Sequence, residues 1–177
     1  MRRATSTLVA AATLASSIAT HAQSGAGLLE EILVTAQKRQ QQAIDVPIAI
    51  GTFSQRDIIN TGALNLQDID AYIVGFDVGG ESFTQQGYRI RGISSPNIST
   101  GGDPSVATFY DDAYLPRAAT TVAFADIDRV EVLRGPQGTL FGRNAAAGVV
   151  NMIPNAPSDT LEGFARIRAG NYNLMRL

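Results

Sequence analysis

Between Val130 and Asn151 the chain reads VEVLRGPQGTLFGRNAAAGVVN, and this stretch limits its possible folds more than any other. Val130, Val132 and Leu133 around Glu131 favour an extended strand. Gly135, Pro136, Gly138 and Gly142 then follow, with Arg134 and Arg143 among them. That density of glycine and proline breaks any helical or alternating pattern, so the strand must end in a tight turn with glycines at positive φ. A Gly-rich loop that opens a helix is one way to bind phosphate, but the spacing here rejects it. A Walker loop places four residues between its glycines and follows them with Lys and Ser or Thr; Gly138 and Gly142 enclose three, and Arg143-Asn144 follows. Solvated arginines on an ordinary turn are the plainer reading. It leaves Arg134 unexplained, because this residue emerges from an apolar strand, and a buried guanidinium requires a carboxylate to meet its planar fork.

The chain has 177 residues, 45% of them apolar, which is one domain's worth with enough material for a core. Residues 1–22 read as a secretory signal, with Arg2 and Arg3 as the positive start, Leu8 to Ala19 as the apolar run and Thr20-His21-Ala22 as the cleavage site. An apolar run of this length is too short to cross about 30 Å of hydrocarbon as a helix. The formal net charge of −2 becomes −4 when Arg2 and Arg3 leave, so nucleic acid is not an expected partner. The exported chain contains neither Cys nor His. Thiol nucleophiles, Ser-His pairs, His- or Cys-ligated zinc and haem ligation through His are therefore unavailable, and neither enzymatic activity nor a cofactor is expected. Among the carboxylates, Asp111 and Asp112 as strand neighbours would point to opposite faces. Asp126 and Asp128 read as turn and strand-end residues and not as a calcium loop.

The mature chain opens with a short lead-in and then EEILVTAQKR, Glu30 to Arg39. Its β-prone core, placed between loose segments near a terminus, suits docking by strand addition to a partner's sheet edge and equally suits a first core strand. A strand at IAIGTF follows. Ser54 then caps a helix with Asp57 at its third position, and Gly62 ends that helix. Asn65 caps a second short helix with Leu66, Ile69 and Ile73 on its apolar face. From Phe76 onward strands alternate with glycine turns, at 87–92, 105–115 and 126–135. The fold class is α+β, with the body at about residues 44–155.

YRIRG and VLRG both end a strand with an apolar residue, Arg and Gly, which suggests related roles for Arg91 and Arg134, with Glu131 a possible internal partner for one of them. Residues 161–177 alternate Leu161, Gly163, Ala165, Ile167 and Ala169 against Glu162, Arg166 and Arg168. A transmembrane barrel strand has this period over about 9 to 11 residues, as does a half-buried soluble strand. A strand left unpaired at Leu177 is most simply explained if the natural protein continues.

Together EEILVTAQKR, DVPIAIGTFSQRDI, RIRGISSPN, the Val130–Asn151 stretch and the alternating end resemble successive parts of TonB-dependent outer-membrane receptors. The family's fold is a barrel of about 22 strands whose lumen is filled by an amino-terminal plug. The resemblance implies a plug at 44–155 and the first, truncated barrel strand at 161–177. Within a periplasmic lead-in at 23–43 it implies a Ton box at 31–36, namely Glu31, Ile32, Leu33, Val34, Thr35 and Ala36, which TonB captures by β-augmentation. With the box this near the mature start, no amino-terminal signalling domain is expected. The resemblance further implies that Arg91 and Arg134 pair with glutamates of the barrel wall. Gly92, Gly135, Pro136, Gly138, Gly142, Arg143 and Asn144 would form the motif's turns, and the loops around 79–86 and 93–104 would face outward toward a substrate such as a ferric siderophore. The implied location is the outer membrane, with the Ton box facing the periplasm. The chain departs from the family's usual Pro-Gly pair at Ile73-Val74-Gly75. A freestanding periplasmic binding or scaffold module with the same fold is the alternative.

Overall fold

The run Gly148-Val149-Val150-Asn151-Met152 is buried at every position, which a strand achieves only when both faces of its sheet are covered. The computed structural model describes residues 32–36, 38–82, 85–95, 102–161, 163, 167–171 and 174–176; the leader at 1–22, the rest of the lead-in up to residue 30, and Glu31 lie outside these. In chain order the elements are β1 (Leu33–Val34), β2 (Gln41–Gln42), β3 (Ala49–Ser54), α1 (Gln55–Thr61), β4 (Phe76–Ser82), β5 (Gln85–Ile90), β6 (Val106–Tyr110), β7 (Ala113–Leu115), β8 (Ile127–Arg134), α2 (Gly138–Phe141), β9 (Gly148–Pro154), β10 (Arg168–Gly170) and β11 (Leu174–Arg176). Short 3₁₀ turns lie at Ala43–Asp45, Leu66–Tyr72 and Arg117–Ala119.

A five-stranded sheet in the order β3-β8-β9-β6-β7 forms the centre. Within it only β6 and β9 run parallel. Alternation along the strands sends Phe53, Val130, Val132, Val150 and Met152 to one face. There they meet Ile58 of α1, Leu66, Ile69 and Ile73 of the 3₁₀ segment, and Phe76, Tyr88 and Ile90 of the β4–β5 hairpin. The opposite face carries Leu133, Val149, Ala107 and Phe109, covered by Val34, Ala36, Val46 and Phe141. Burying each large aliphatic side chain contributes about 1.5–3 kcal/mol, so both coverings matter to stability.

The local signals in the sequence operate as read. Ser54 accepts from the Asp57 amide while the Asp57 carboxylate accepts from the Ser54 amide, a reciprocal capping box. Gly62 closes α1 at φ 73°. Asn65 accepts from the Gln67 amide to start the second helical segment, which is 3₁₀ throughout. Two expectations need correction. Asp111 and Asp112 are not strand neighbours: at φ 49° and 61° they form the two-residue turn joining β6 to β7. Asp tolerates left-handed backbone, and paired positive φ matches the twist of a tight hairpin. Likewise the described part of 161–177 is not one continuous strand, because β10 and β11 pair antiparallel with Gly170 opposite Leu174. The chain reverses after Gly170, where the Leu174 amide donates to the Asn171 carbonyl at 3.3 Å, and alternation alone does not register a turn of this kind.

Candidate functional site

The segment from Ile32 onward folds back on itself. Leu33 and Val34 pair antiparallel with Gln42 and Gln41. The Lys38 amide donates to the Thr35 carbonyl at 2.8 Å, with Lys38 at φ 56°, and this closes the bend. Ile32 and Leu33 are left 48% and 39% exposed, while Val34 and Ala36, which alternation places together, are wholly buried on the second face of the sheet. Among the described residues this hairpin is hydrogen-bonded as a strand pair of its own and is not a member of the central sheet.

Its anchor is Glu131. This side chain has no exposed surface, yet it carries a carboxylate in the middle of β8. The Thr35 amide donates to its Oε1 at 2.8 Å, the Thr35 hydroxyl lies 3.3 and 3.4 Å from its two oxygens, and Arg129 Nε donates at 2.9 Å. Arg129 also pairs with Asp128 at 2.5 Å. Glu131 is therefore not the internal partner of Arg91 or Arg134. Residues two apart on a strand share a face and residues three apart do not, so Arg129 reaches Glu131 and Arg134 cannot. Arg129 and Thr35 were the residues whose pairing with Glu131 the sequence reading missed, although the spacing Arg-x-Glu in DRVE carries the signal. Across β9 the residue opposite Glu131 is Asn151, whose Oδ1 is buried without a partner, as is Gln41 Oε1 in β2. The docked segment thus combines the Glu131 bonds with the apolar packing of Val34 and Ala36.

Arg91 and Arg134 converge at one end of the sheet. A Cβ on Gly135 would lie 3.8 Å from Arg91 Nη1. Arg134 Nη1 donates to the Val74 carbonyl at 2.9 Å and Nη2 approaches the Ile50 carbonyl at 3.5 Å, while its Nε is buried and unpartnered. Arg91 takes φ 53°, and its amide donates to the Gly75 carbonyl at 2.8 Å. Among the described residues neither guanidinium has an ion-pair partner. The Arg134 guanidinium thus has backbone carbonyls as its neighbours, and the Arg91 guanidinium lies beside Gly135, which follows Arg134 in the chain.

The glycine-rich loop has a structural task as well. Gly135 at φ 115° and Gly142 at φ 85° turn the chain, and Gly92 at φ 79° does so after Arg91. Pro136 and Gly138 lead into the single turn of α2, whose Phe141 packs edge-on to Phe109 at 5.2 Å and lies 5.7 Å beneath Lys38 Nζ. Asn144 donates to the Tyr114 hydroxyl at 2.8 Å. Arg143, 84% exposed, meets Asp103 at 3.4 Å, a surface pair of small energetic weight. The loop therefore closes over the docked amino-terminal segment. Of the loops expected to face outward, 83–84 and 96–101 lie outside the described residues.

Residues 42–149 match the family model of the TonB-dependent Receptor Plug Domain. The chain belongs to this family. Among curated proteins the plug is 36% identical over 75 residues to the pesticin receptor of Yersinia enterocolitica, covering 42% of this chain and 11% of that protein. It is 30% identical over 142 residues to the vitamin B12 transporter BtuB of Vibrio vulnificus, covering 76% and 22%. Its fold also matches a solved structure of the pyoverdine outer membrane receptor FpvA from Pseudomonas aeruginosa with TM-score 0.64 and 22% identity, over 80% of this chain and 20% of that one. The plug thus spans between about a tenth and a quarter of the length of these relatives. Gly148 joins the residues that sequence reading passed over: at φ 155° its Cβ position lies 2.3 Å from the Leu133 carbonyl oxygen, so no other residue fits there.

Proposed function

We propose that this chain is the plug of an active outer-membrane importer and that its amino-terminal hairpin is the handle by which TonB opens it. The supporting observation is the docking of Ile32–Ala36: a β-prone strand with one short partner strand, partly exposed, held by the buried Glu131 carboxylate and by the buried side chains of Val34 and Ala36. Strand addition by TonB would offer the backbone of residues 31–36 a longer ladder than β2 supplies, at the cost of the Thr35–Glu131 bonds. Arg91 and Arg134 would meet glutamates on the inner wall of the barrel and hold the plug in the lumen until it is pulled. Taken with relatives named for pyoverdine, pesticin and vitamin B12, the cargo is a bulky nutrient of the ferric siderophore kind. The plug would sit in the outer membrane with the hairpin facing the periplasm. No step of this cycle requires catalysis by the plug.

Val34→Pro in the intact receptor tests this reading. Proline cannot donate to an added strand, so uptake of cargo should be abolished while surface binding of cargo persists. Normal uptake would overturn the assignment of 31–36 as the TonB segment.

A further inference from the structure

Where the β4–β5 hairpin crosses the central sheet, a small cavity is lined by Gln86, Tyr88, Val106, Thr108, Arg117 and Thr120, among others. Positions open to the centre of a water-sized sphere occupy about 10 Å³, which is room for about one water molecule. Its walls are unusually short of partners. Gln86 and Thr108 are 6% and 1% exposed, yet Gln86 Oε1, Thr108 Oγ1 and Arg117 Nη1 are each buried without a hydrogen bond. The neighbouring polar atoms are engaged. Tyr88 donates to the Thr120 carbonyl at 2.8 Å, the Thr120 hydroxyl donates to the Arg117 carbonyl at 3.0 Å, and Arg117 Nη2 donates to the Ser95 carbonyl at 2.7 Å. Gln86 Nε2 donates to Gln67 Oε1 at 3.3 Å, which fixes the amide with its oxygen on the other side.

We propose that this cavity is a binding site for one structural water molecule that bolts β5, β6 and the 117–119 turn together. The unpartnered set fits a water and little else. Arg117 Nη1 donates to the water oxygen, Gln86 Oε1 accepts one of its protons, and the Thr108 hydroxyl completes a third bond, the usual number for a buried water. A cation is repelled by the guanidinium. An anion would meet the unpartnered Gln86 oxygen. Through Arg117 the water also supports the bond to the Ser95 carbonyl.

The test combines a crystal structure of the intact protein at a resolution that orders waters with hydrogen exchange in Thr108→Val, Gln86→Leu and the double variant. Density for one water within bonding distance of Gln86, Thr108 and Arg117 is expected. Amides of β5 and β6 should exchange about 5–30-fold faster in each single variant, the range that corresponds to one lost buried bonding network. The double variant should be no faster than the worse single one, because the shared water is already gone. An empty cavity, or exchange increases that multiply in the double variant, would overturn the site. If the variants do not fold, the density alone decides.

Discussion

Replacing Glu131 by glutamine keeps the shape of the anchor under Thr35 and removes its charge. In the wild type two donors of the hairpin reach the carboxylate, the Thr35 amide at 2.8 Å and the Thr35 hydroxyl at 3.3 Å. A bond to a charged acceptor contributes about 1.5–3 kcal/mol and a neutral one about 0.5–1.5, so the change weakens the anchor by about 2 kcal/mol. Arg129 and Glu131 lie on the same strand, so their bond survives hairpin opening and does not enter this figure. Because about 1.4 kcal/mol is tenfold in an equilibrium, the hairpin should open roughly thirty times more often. Hydrogen exchange in the intact protein reads this directly: the Thr35 amide should exchange about thirtyfold faster, while the Val150 amide at the centre of the sheet keeps its rate. Glu131→Ala leaves the Thr35 amide without its acceptor and the largely buried Arg129 with Asp128 alone, and should cost about 3–5 kcal/mol, loosening the sheet as well. Thr35 exchange within about threefold of wild type in the glutamine variant, relative to the roughly thirtyfold expected from the bond strengths, would refute the anchor.

Further outcomes can be checked independently. Gly148→Ala should destabilise the plug by about 3 kcal/mol or more, because the new methyl meets the Leu133 carbonyl at 2.3 Å and Ile90 Cδ1 at 2.7 Å; a denaturation midpoint near wild type would contradict the packing. Arg134→Ala in the intact receptor should loosen the plug within the barrel and raise permeability to bulky antibiotics, and unchanged permeability would sink the proposed pairing with the barrel wall. Burial pushes the Tyr88 hydroxyl up from 10.0 to about 12, against a smaller lowering by its bond to Thr120. A pKa raised on folding contributes stability that is fully present below pH 10 and is lost as pH climbs through about 12. An acidity roughly a hundredfold weaker in the folded protein corresponds to about 3 kcal/mol, so Tyr88→Phe should flatten the loss of stability across that window in an alkaline denaturation series.

The parts of the fold legible in the sequence were those set by local chemistry. The Ser54–Asp57 box, the Gly62 stop and the Asn65 cap each depend on residues within a few positions of one another, and the sequence states them outright. The apolar run of β8 is likewise legible as a strand. What was not legible depends on pairing. Asp111-Asp112 looked like strand because its neighbours are β-prone, and only the β6–β7 register turns it into a hairpin bend. Gly148 carries no local signal; its necessity comes from the Leu133 carbonyl of the adjacent strand. The partner of Glu131 is split between Arg129, two residues away, and Thr35, ninety-six residues away. The repeated Arg-Gly ending marks Arg91 and Arg134 in the sequence, and the Arg91 guanidinium does lie beside Gly135, next to Arg134; the carboxylates proposed to meet them would come from outside the described residues.

Cross-linking gives the most direct test of the proposed coupling. Leu33, 39% exposed beside the buried Val34, can be replaced by cysteine in the intact receptor and challenged with TonB bearing a cysteine in its periplasmic domain. A disulfide-linked adduct should form, and should form faster when Glu131→Gln is added, because the anchor that holds the hairpin against the plug is weaker. No adduct at Leu33, in a receptor that still imports its cargo, would contradict capture of this segment by TonB.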